Sequence, residues 1–423
     1  MPHLSPEARM NDAVSRSLNP YDAISKSLPI IKGWTIVWIV AYHLMGNTKG
    51  YFNPEEAIAA LSTGNLKNII ETGLELFISA GSAGVNVFLI ASGFGLTASW
   101  WQKYGRHGVD AIPLSDFWRK RVFRIFPHFW TAVAIATILY LINPDWAPFG
   151  QDIWKAGGFS PILALLSTVS TLRNFSLDNY YFLNGAWWYV GLCVQLYLIF
   201  PFLIRFGCRW GWAQLLIVSL LFSLTYRTVF FLSPILFSTE SFWTIIPLAF
   251  FPSRLFEFVF GIFLAMTFLK PNHQTSATNS QQTERYRNLL QSLWTKPQFV
   301  PLCFCLFLIG FSFKWLAYPA LNIFEDALMG IGLFCGLVGL SQVKFLKLKR
   351  LSKITGKYSY GIYLTHMNVY LILWPVAALW VPSYWLRFAV VIIACCGIGI
   401  GFDVGFTACR RAITAPFQQQ KTV

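Results

Sequence analysis

Long apolar runs separated by short polar segments are the main pattern along this chain of 423 residues. A helix needs about 20 mostly apolar residues to cross the ~30 Å hydrocarbon core of a membrane. Runs of this kind predict an all-α, polytopic membrane protein with about ten transmembrane helices. We place these helices near residues 29–46, 83–101, 124–142, 187–206, 212–233, 243–269, 297–316, 325–343, 357–380 and 384–408.

The composition excludes an ordinary soluble globular protein, because 55% of the residues are hydrophobic and 12% are charged, with a mean hydropathy of +0.51. We predict a cytoplasmic N-terminal tail over residues 1–28, a transmembrane domain over 29–408 and a cytoplasmic C-terminal tail over 409–423. Within the domain, residues 271–296 are predicted to be a flexible cytoplasmic loop, since their first part, PNHQTSATNSQQ, is rich in polar residues.

Lysine and arginine collect in alternate connections between the predicted spans, as they do in the cytoplasmic loops of membrane proteins. This alternation predicts that both termini are cytoplasmic in a multi-pass protein of the plasma (inner) membrane. The net charge of +15 then belongs mainly to one face. That face can hold the anionic headgroups of membrane lipids or an anionic cytosolic cofactor, whereas nucleic acid is not expected as a partner.

Two further segments are apolar but do not suit a span. Residues 65–80 carry apolar side chains on one helical face and Glu71 and Glu75 on the other, which indicates a helix on the membrane surface or a loop helix that caps the bundle. Residues 158–172 are too few to span comfortably and are predicted to be re-entrant or interfacial. The eight cysteines have no zinc-type spacing, so we expect neither disulfides nor a metal site.

A histidine lies deep in the first apolar run. Lys32 opens this run, and His43 follows about 11 residues later, which is roughly 16 Å along a helix that rises 1.5 Å per residue. Ionisable groups at this depth are costly and mark functional sites. A neutral imidazole in a wet cavity is a suitable general base, so His43 is the first candidate for a catalytic residue.

Other polar residues inside the spans have functional and structural interpretations. Arg254 and Glu257 stand three residues apart on one helical face, so they can pair and either serve a site or pin neighbouring helices. His366 lies at a depth similar to that of His43 and is either functional or a hydrogen-bonded core histidine. Asn86 lies near the outer end of the second span. Asp403 is expected to be a helix-end partner of the nearby arginines at positions 410 and 411.

The third span begins with a basic sequence, FWRKRVFRIFPHFW. Arg121 and Arg124 share one side of this helix. Two planar guanidinium groups can bind phosphate bidentately, so the pair suits a phosphorylated donor, such as coenzyme A, that arrives from the cytosol. The alternative is that these charges only set the topology and contact lipid phosphates.

Taken together, these motifs resemble the acyltransferase 3 family of integral membrane proteins, many of which O-acetylate surface glycans. The resemblance runs from about Leu28 to Trp374. It rests on six motifs in chain order: Lys32 with His43, GVNVFLIASGFGL from Gly84 to Leu96, Arg121 with Arg124, WWYVGLCVQLYLIFP from Trp187 to Pro201, RLFEFVFG from Arg254 to Gly261, and GKYSYGIYLTH from Gly356 to His366.

The resemblance implies that an acyl group, most often acetyl, passes from cytoplasmic acyl-CoA (acetyl-CoA) to a hydroxyl of an envelope or exported glycan or glycolipid. It implies that His43 is the catalytic base or acyl acceptor and that Glu257 shares the catalytic role. The implied acyl-CoA-binding residues are Lys32, Arg121 and Arg124. The implied supporting or acceptor-site residues are Asn86, Trp188, Tyr189, Gln195, Arg254 and His366.

The chain also departs from the family pattern. Lys32 replaces the usual arginine and so lacks its bidentate fork. Cys193 and Val194 stand where many relatives carry acidic residues, and Asn86 stands where aspartate is common. These changes leave Glu257 as the expected mid-depth carboxylate and leave the acceptor open.

Two other classes of function fit the same residues. A transporter or flippase of a glycan or lipid-linked intermediate would use His43, Glu257 and His366 as proton-relay or binding groups. A non-catalytic membrane scaffold would explain the loss of the fourth-span acids. Acyl-CoA consumption by the purified protein separates an enzyme from both.

Overall fold

The computed structural model describes residues 20–104, 114–176, 178–237, 249–269, 277–316, 319–343 and 349–419. These residues form helices and connecting loops without a β-strand. The α-helices, in chain order, are α1 (Pro20–Thr48), α2 (Pro54–Ser62), α3 (Leu66–Ser79), α4 (Gly84–Tyr104), α5 (Leu114–Ile142), α6 (Gln151–Ala156), α7 (Ser160–Val169), α8 (Trp188–Trp210), α9 (Trp212–Phe237), α10 (Leu255–Phe268), α11 (Ala277–Trp294), α12 (Phe299–Phe313), α13 (Pro319–Gln342), α14 (Lys349–Lys357), α15 (Ser359–Ala378) and α16 (Tyr384–Gln419).

The prediction of an all-α, polytopic membrane protein is confirmed. In the described part of the chain, 8 helical stretches are long and apolar enough to cross a membrane, or 9 when α11 and α12, bent by 96°, count as one span. The predicted span 297–316 corresponds to α12, which has 15 residues. The predicted span 357–380 corresponds to α15, which has 20 residues but includes the polar His366 and Asn368. The sequence-based number of ten therefore exceeds the number of strongly apolar helices.

Several helices extend beyond the apolar runs that identified them. The first helix begins at Pro20, inside the predicted N-terminal tail, and α5 begins at Leu114, before the predicted start at residue 124. The last helix continues to Gln419, inside the predicted C-terminal tail. Hydropathy detects only the part of a helix that lies in hydrocarbon, whereas backbone hydrogen bonds continue into the polar flanks. Part of the predicted span 243–269 lies outside the described residues.

The predicted flexible loop 271–296 instead contains a helix, Ala277–Trp294. Its Arg287 donates hydrogen bonds from Nε to the carbonyl oxygen of Thr267, at 2.8 Å, and from Nη2 to that of Leu269, at 3.1 Å. These carbonyls lie at the end of α10, where the last C=O groups of a helix lack partners within the helix. The helix is therefore attached to the bundle, and the flexible-loop prediction is wrong for these residues. Residues 270–276 lie outside the described residues.

The two short segments that were predicted not to span are short helices. In α3, Ile70 and Phe77 are 61% and 60% exposed, so the apolar face expected from the sequence is not covered by the protein. The helix α7 has 10 residues, about half the length needed to cross a membrane. Placement of either helix at the membrane surface stays a prediction.

The first helix runs through the bundle and is fixed by a close crossing with α14. A Cβ added to Gly33 would lie 1.9 Å from the carbonyl oxygen of Ser352, and one added to Gly356 would lie 1.8 Å from that of Pro29. Only glycine allows backbones to approach this closely. The crossing brings the basic start of α1 to the basic end of α14. We call the end of the bundle that carries Lys32 and Lys357 the basic end, and we call the other end of the bundle the opposite end.

Candidate functional site

Two histidines meet inside the bundle. His43 of α1 and His366 of α15 lie 3.0 Å apart, measured from Nδ1 of His43 to Nε2 of His366. The rings stack with centroids 5.1 Å apart, and His366 has no solvent-exposed surface. The similar depths predicted for these residues are thus explained by a direct hydrogen bond between them.

A backbone carbonyl orients this pair. Nδ1 of His366 lies 2.7 Å from the carbonyl oxygen of Tyr363. A carbonyl can only accept, so the proton of neutral His366 is on Nδ1 and its Nε2 accepts from Nδ1–H of His43. In this arrangement Nε2 of His43 carries the free lone pair. The pair therefore holds His43 in the tautomer that can accept a proton or attack a carbonyl carbon through Nε2.

A cavity of about 440 Å³ opens at the basic end. All three residues predicted to bind an anionic donor, Lys32, Arg121 and Arg124, line this cavity. Lys357, which the sequence interpretation did not select, lines it as well. Four basic side chains from α1, α5 and α14 thus line one open cavity, an arrangement that suits phosphate groups.

The cavity extends toward the histidine pair along one face of α1. Its lining includes Lys32, Ile36 and Ile39, and the next position on this face is His43, about 6 Å further along the helix. His43 is not itself a lining residue. Tyr363, whose carbonyl orients His366, does line the cavity. Along α1, the last lining residue, Ile39, therefore stands about one helical turn before His43.

Another histidine, His128, lines the cavity and pairs with an aspartate. His128 follows Arg121 and Arg124 on the same face of α5, and its Nε2 is 3.0 Å from Oδ1 of Asp403 on α16. Nδ1 of His128 is buried and has no hydrogen-bond partner among the described residues. The sequence interpretation related Asp403 only to arginines on its own helix, because the pairing of α5 with α16 has no local signal.

Glu257 and Arg254 belong to a separate buried cluster. Arg254 Nη1 is 3.8 Å from Oε1 of Glu257, as the helical spacing predicted. Its closer partners are Oδ1 of Asp326 and, at 2.9 Å, Oδ1 of Asn86. Arg227 of α9 also pairs with Asp326. Glu257 was predicted to be the remaining carboxylate at mid-depth. The structure corrects this point, since Asp326 is a second buried carboxylate, paired with the buried Arg227 inside the bundle.

The three residues selected from the predicted fourth span, Trp188, Tyr189 and Gln195, do not all lie at the cavity. Tyr189 lines the cavity. Gln195 donates to the carbonyl of Ala249, at 3.2 Å, and accepts from the backbone N–H of Phe251, at 2.9 Å, so it holds the turn that precedes α10. The carbonyl of Trp188 accepts a 2.8 Å hydrogen bond from Asn174. Of the three, only Tyr189 faces the candidate site.

Comparison with known proteins gives one match. A family model described as an acyltransferase domain matches residues 25–403. The search of curated proteins and the search of solved structures each gave no significant match. The matched range begins in α1 and ends at Asp403, so it includes the histidine pair, the cavity lining and the buried cluster.

Proposed function

The chain belongs to the acyltransferase 3 family, and from this premise we propose that it transfers an acyl group, most simply acetyl, from acyl-CoA to a hydroxyl of an envelope or exported glycan or glycolipid. The proposed location is the plasma (inner) membrane, with the basic end toward the cytosol. The observation that carries the proposal is the common face of α1 that joins the cation-lined cavity to His43.

We assign acyl-CoA to the basic end for two reasons. The phosphates of acyl-CoA need cations, and its thioester must lie close to His43. Lys32, Arg121 and Arg124, with Lys357, would hold the phosphates. The pantetheine arm would then extend along the face of α1. The shape of the cavity requires the side chains at its inner end, Ile39 and Tyr363 among them, to give way for the thioester to reach His43.

The lone pair on Nε2 of His43 supports two routes. In direct transfer it accepts the proton of the acceptor hydroxyl while the oxygen attacks the thioester carbonyl and the C–S bond breaks. In the covalent route Nε2 attacks the thioester carbonyl, the C–S bond breaks and CoA leaves as its thiolate. The acceptor hydroxyl then attacks the acyl-imidazole, the C–N bond breaks, and the hydroxyl proton passes to the released Nε2. Labelled acyl groups that stay on the protein in the absence of acceptor, and that need His43, would establish the covalent route.

The proposed function is tested with purified protein in proteoliposomes. Acyl-CoA is supplied at one side and a membrane glycan fraction at the other, and the release of CoA and the acylation of glycan are measured together. Consumption of acyl-CoA that depends on His43 supports an acyltransferase. Movement of glycan without loss of the acyl group would instead support the transporter, and inactivity of an intact, folded protein would support the scaffold.

Replacement of both Arg121 and Arg124 by alanine is expected to raise the apparent KM for acyl-CoA by about 10–100-fold, because one or more charge-assisted hydrogen bonds to phosphate are lost. The matched control is Arg119→Ala on the same helix. Arg119 pairs with Asp116 at 3.2 Å, is not a cavity-lining residue and has a side chain that is 71% exposed. Equal KM values for the double variant and the control would contradict the donor assignment.

Replacement of His366 by leucine is expected to reduce kcat by roughly 10²-fold with little change in KM for acyl-CoA, because both tautomers of His43 become populated and its ring loses its orientation. His366→Gln should retain more activity, since its amide oxygen can accept from Nδ1–H of His43. The measurement is kcat over a range of pH for both variants. If the leucine and glutamine variants are equally active, the tautomer argument fails.

A further inference from the structure

Three tyrosines from separate parts of the chain gather on the side of the histidine pair that faces the opposite end of the bundle. We call Tyr42, Tyr51 and Tyr181 the tyrosine platform. The rings of Tyr42 and Tyr51 lie 5.2 Å apart, and the phenol of Tyr181 is within electrostatic reach of both. Tyr51 is 59% exposed and Tyr181 is 55% exposed. Large aromatic surfaces are therefore presented to the outside just above the candidate catalytic residue.

Close packing against glycine fixes the two exposed rings. A Cβ added to Gly46 would lie 2.3 Å from the ring of Tyr51, and Gly46 stands one turn beyond His43 on α1. A Cβ added to Gly185 would lie 3.1 Å from the ring of Tyr181. The same Cβ would lie 3.6 Å from Met367, which follows His366 in sequence. Tyr51 thus packs on α1 one turn beyond His43, and Tyr181 packs on Gly185, which also adjoins Met367 of α15.

Hydrogen-bonding groups adjoin the platform. A second cavity, of about 240 Å³, is lined by Tyr51 together with amide, hydroxyl and carboxylate side chains, namely Asn53, Asn68, Thr72, Glu56, Glu71 and Glu75. Lys49 lines the same cavity and pairs with Glu75. Three carboxylates against one lysine leave an excess of negative charge, which disfavours an anionic ligand.

We propose that the tyrosine platform is the acceptor site and that it binds a neutral or amino sugar ring of the acceptor, with acidic sugars and phospholipid headgroups disfavoured. This inference rests on the proposed function. Aromatic faces pack on the C–H faces of a pyranose, while phenols, amides and carboxylates bind its hydroxyl groups. A sugar on the platform would lie about one helical turn from His43, on the far side from the acyl-CoA cavity.

An interfacial anchor is the ordinary alternative for an exposed tyrosine, since Trp and Tyr gather at membrane–water interfaces. Trp380 illustrates that case: it is 81% exposed, in the turn after α15 at the same end of the bundle. The platform differs because the rings of Tyr42 and Tyr51 pack together one turn from His43, and Tyr51 also lines a cavity with amide and carboxylate groups. Trp380→Ala is therefore the matched control.

The test uses cells that lack the gene and express the full chain, together with the purified protein. Tyr51→Ala combined with Tyr181→Ala should lower the acylation of envelope glycan, measured by mass spectrometry, by at least about tenfold, which is the loss of one or two aromatic contacts. The affinity of the purified variant for CoA should not change. Tyr51→Phe with Tyr181→Phe should keep most of the acylation, and Trp380→Ala all of it.

Normal acylation by the alanine variant would overturn the proposal, as would a parallel loss of CoA affinity, which would mean that the rings support the fold. Acyl groups found only on acidic sugars or on lipid would overturn the choice of ligand. Failure of the proposed function looks different: the wild-type protein would then neither bind CoA nor acylate any envelope component.

Discussion

Replacement of His43 by alanine is expected to lower the rate of acyl transfer by about 10²–10⁴-fold, which is the usual contribution of a general base. The structure gives the physical reason. His366 and the carbonyl of Tyr363 hold His43 as the tautomer with a free Nε2 lone pair, and the variant has no group at that position to accept a proton. The measurement is the initial rate of CoA release and acceptor acylation by purified protein in proteoliposomes.

Two controls sharpen this experiment. The thermal unfolding of His43→Ala should resemble that of the wild type, so that the loss is catalytic. The double variant His43→Ala, His366→Ala should be no slower than His43→Ala alone, because residues that act as a unit are not additive. A folded His43→Ala protein that acylates at the normal rate would remove His43 from the mechanism.

Replacement of Asp326 by alanine is expected to destabilise the folded protein by about 3–5 kcal/mol, the usual cost of removing one partner of a buried ion pair. Asp326 is 5% exposed and pairs with both Arg227 and Arg254. Its removal would leave two guanidinium groups in the bundle interior with too little negative charge beside them. The expected observation is a sharp fall in folded yield and in the unfolding temperature in detergent.

Asp116→Ala is the matched control for this stability experiment. Asp116 also pairs with several cations, including Lys103 at 3.6 Å and Arg119 at 3.2 Å, but these side chains are 53% and 71% exposed. Exposed pairs contribute about 0–1 kcal/mol, so this variant should unfold almost as the wild type does. If the two aspartate variants are equally stable, Asp326 is not the central anion of the cluster.

Features that depend on residues close together in the sequence could be predicted from the sequence. Apolar runs located the membrane helices, and helical spacing placed Arg121 with Arg124 and Arg254 beside Glu257. Lys32, Arg121 and Arg124 line one cavity, and their binding of a donor stays a prediction. These properties depend on a few neighbouring residues, so they can be read without knowing how the helices pack.

Contacts between helices could not be predicted from this one sequence. The partners His43 and His366 are 323 residues apart, and equal depth does not establish contact. His128 could have been selected from its position on the face of Arg121 and Arg124, but nothing local relates it to Asp403. Asp326 was passed over because it stands at the edge of a predicted span, where a carboxylate looks like part of a loop.

The glycine crossing between α1 and α14 makes one side of the cation-lined cavity more tightly packed than the other. Lys32 and Lys357 each stand next to a glycine of that crossing, so main-chain contact sets the spacing of their Cα atoms. The arginine-bearing helix α5 has no such anchor, and only 28% of its most apolar stretch is buried, against 89% for α10. Under the proposed function, we therefore expect any adjustment to a bulky donor to occur on the α5 side of the cavity, while the crossing of α1 and α14 stays fixed.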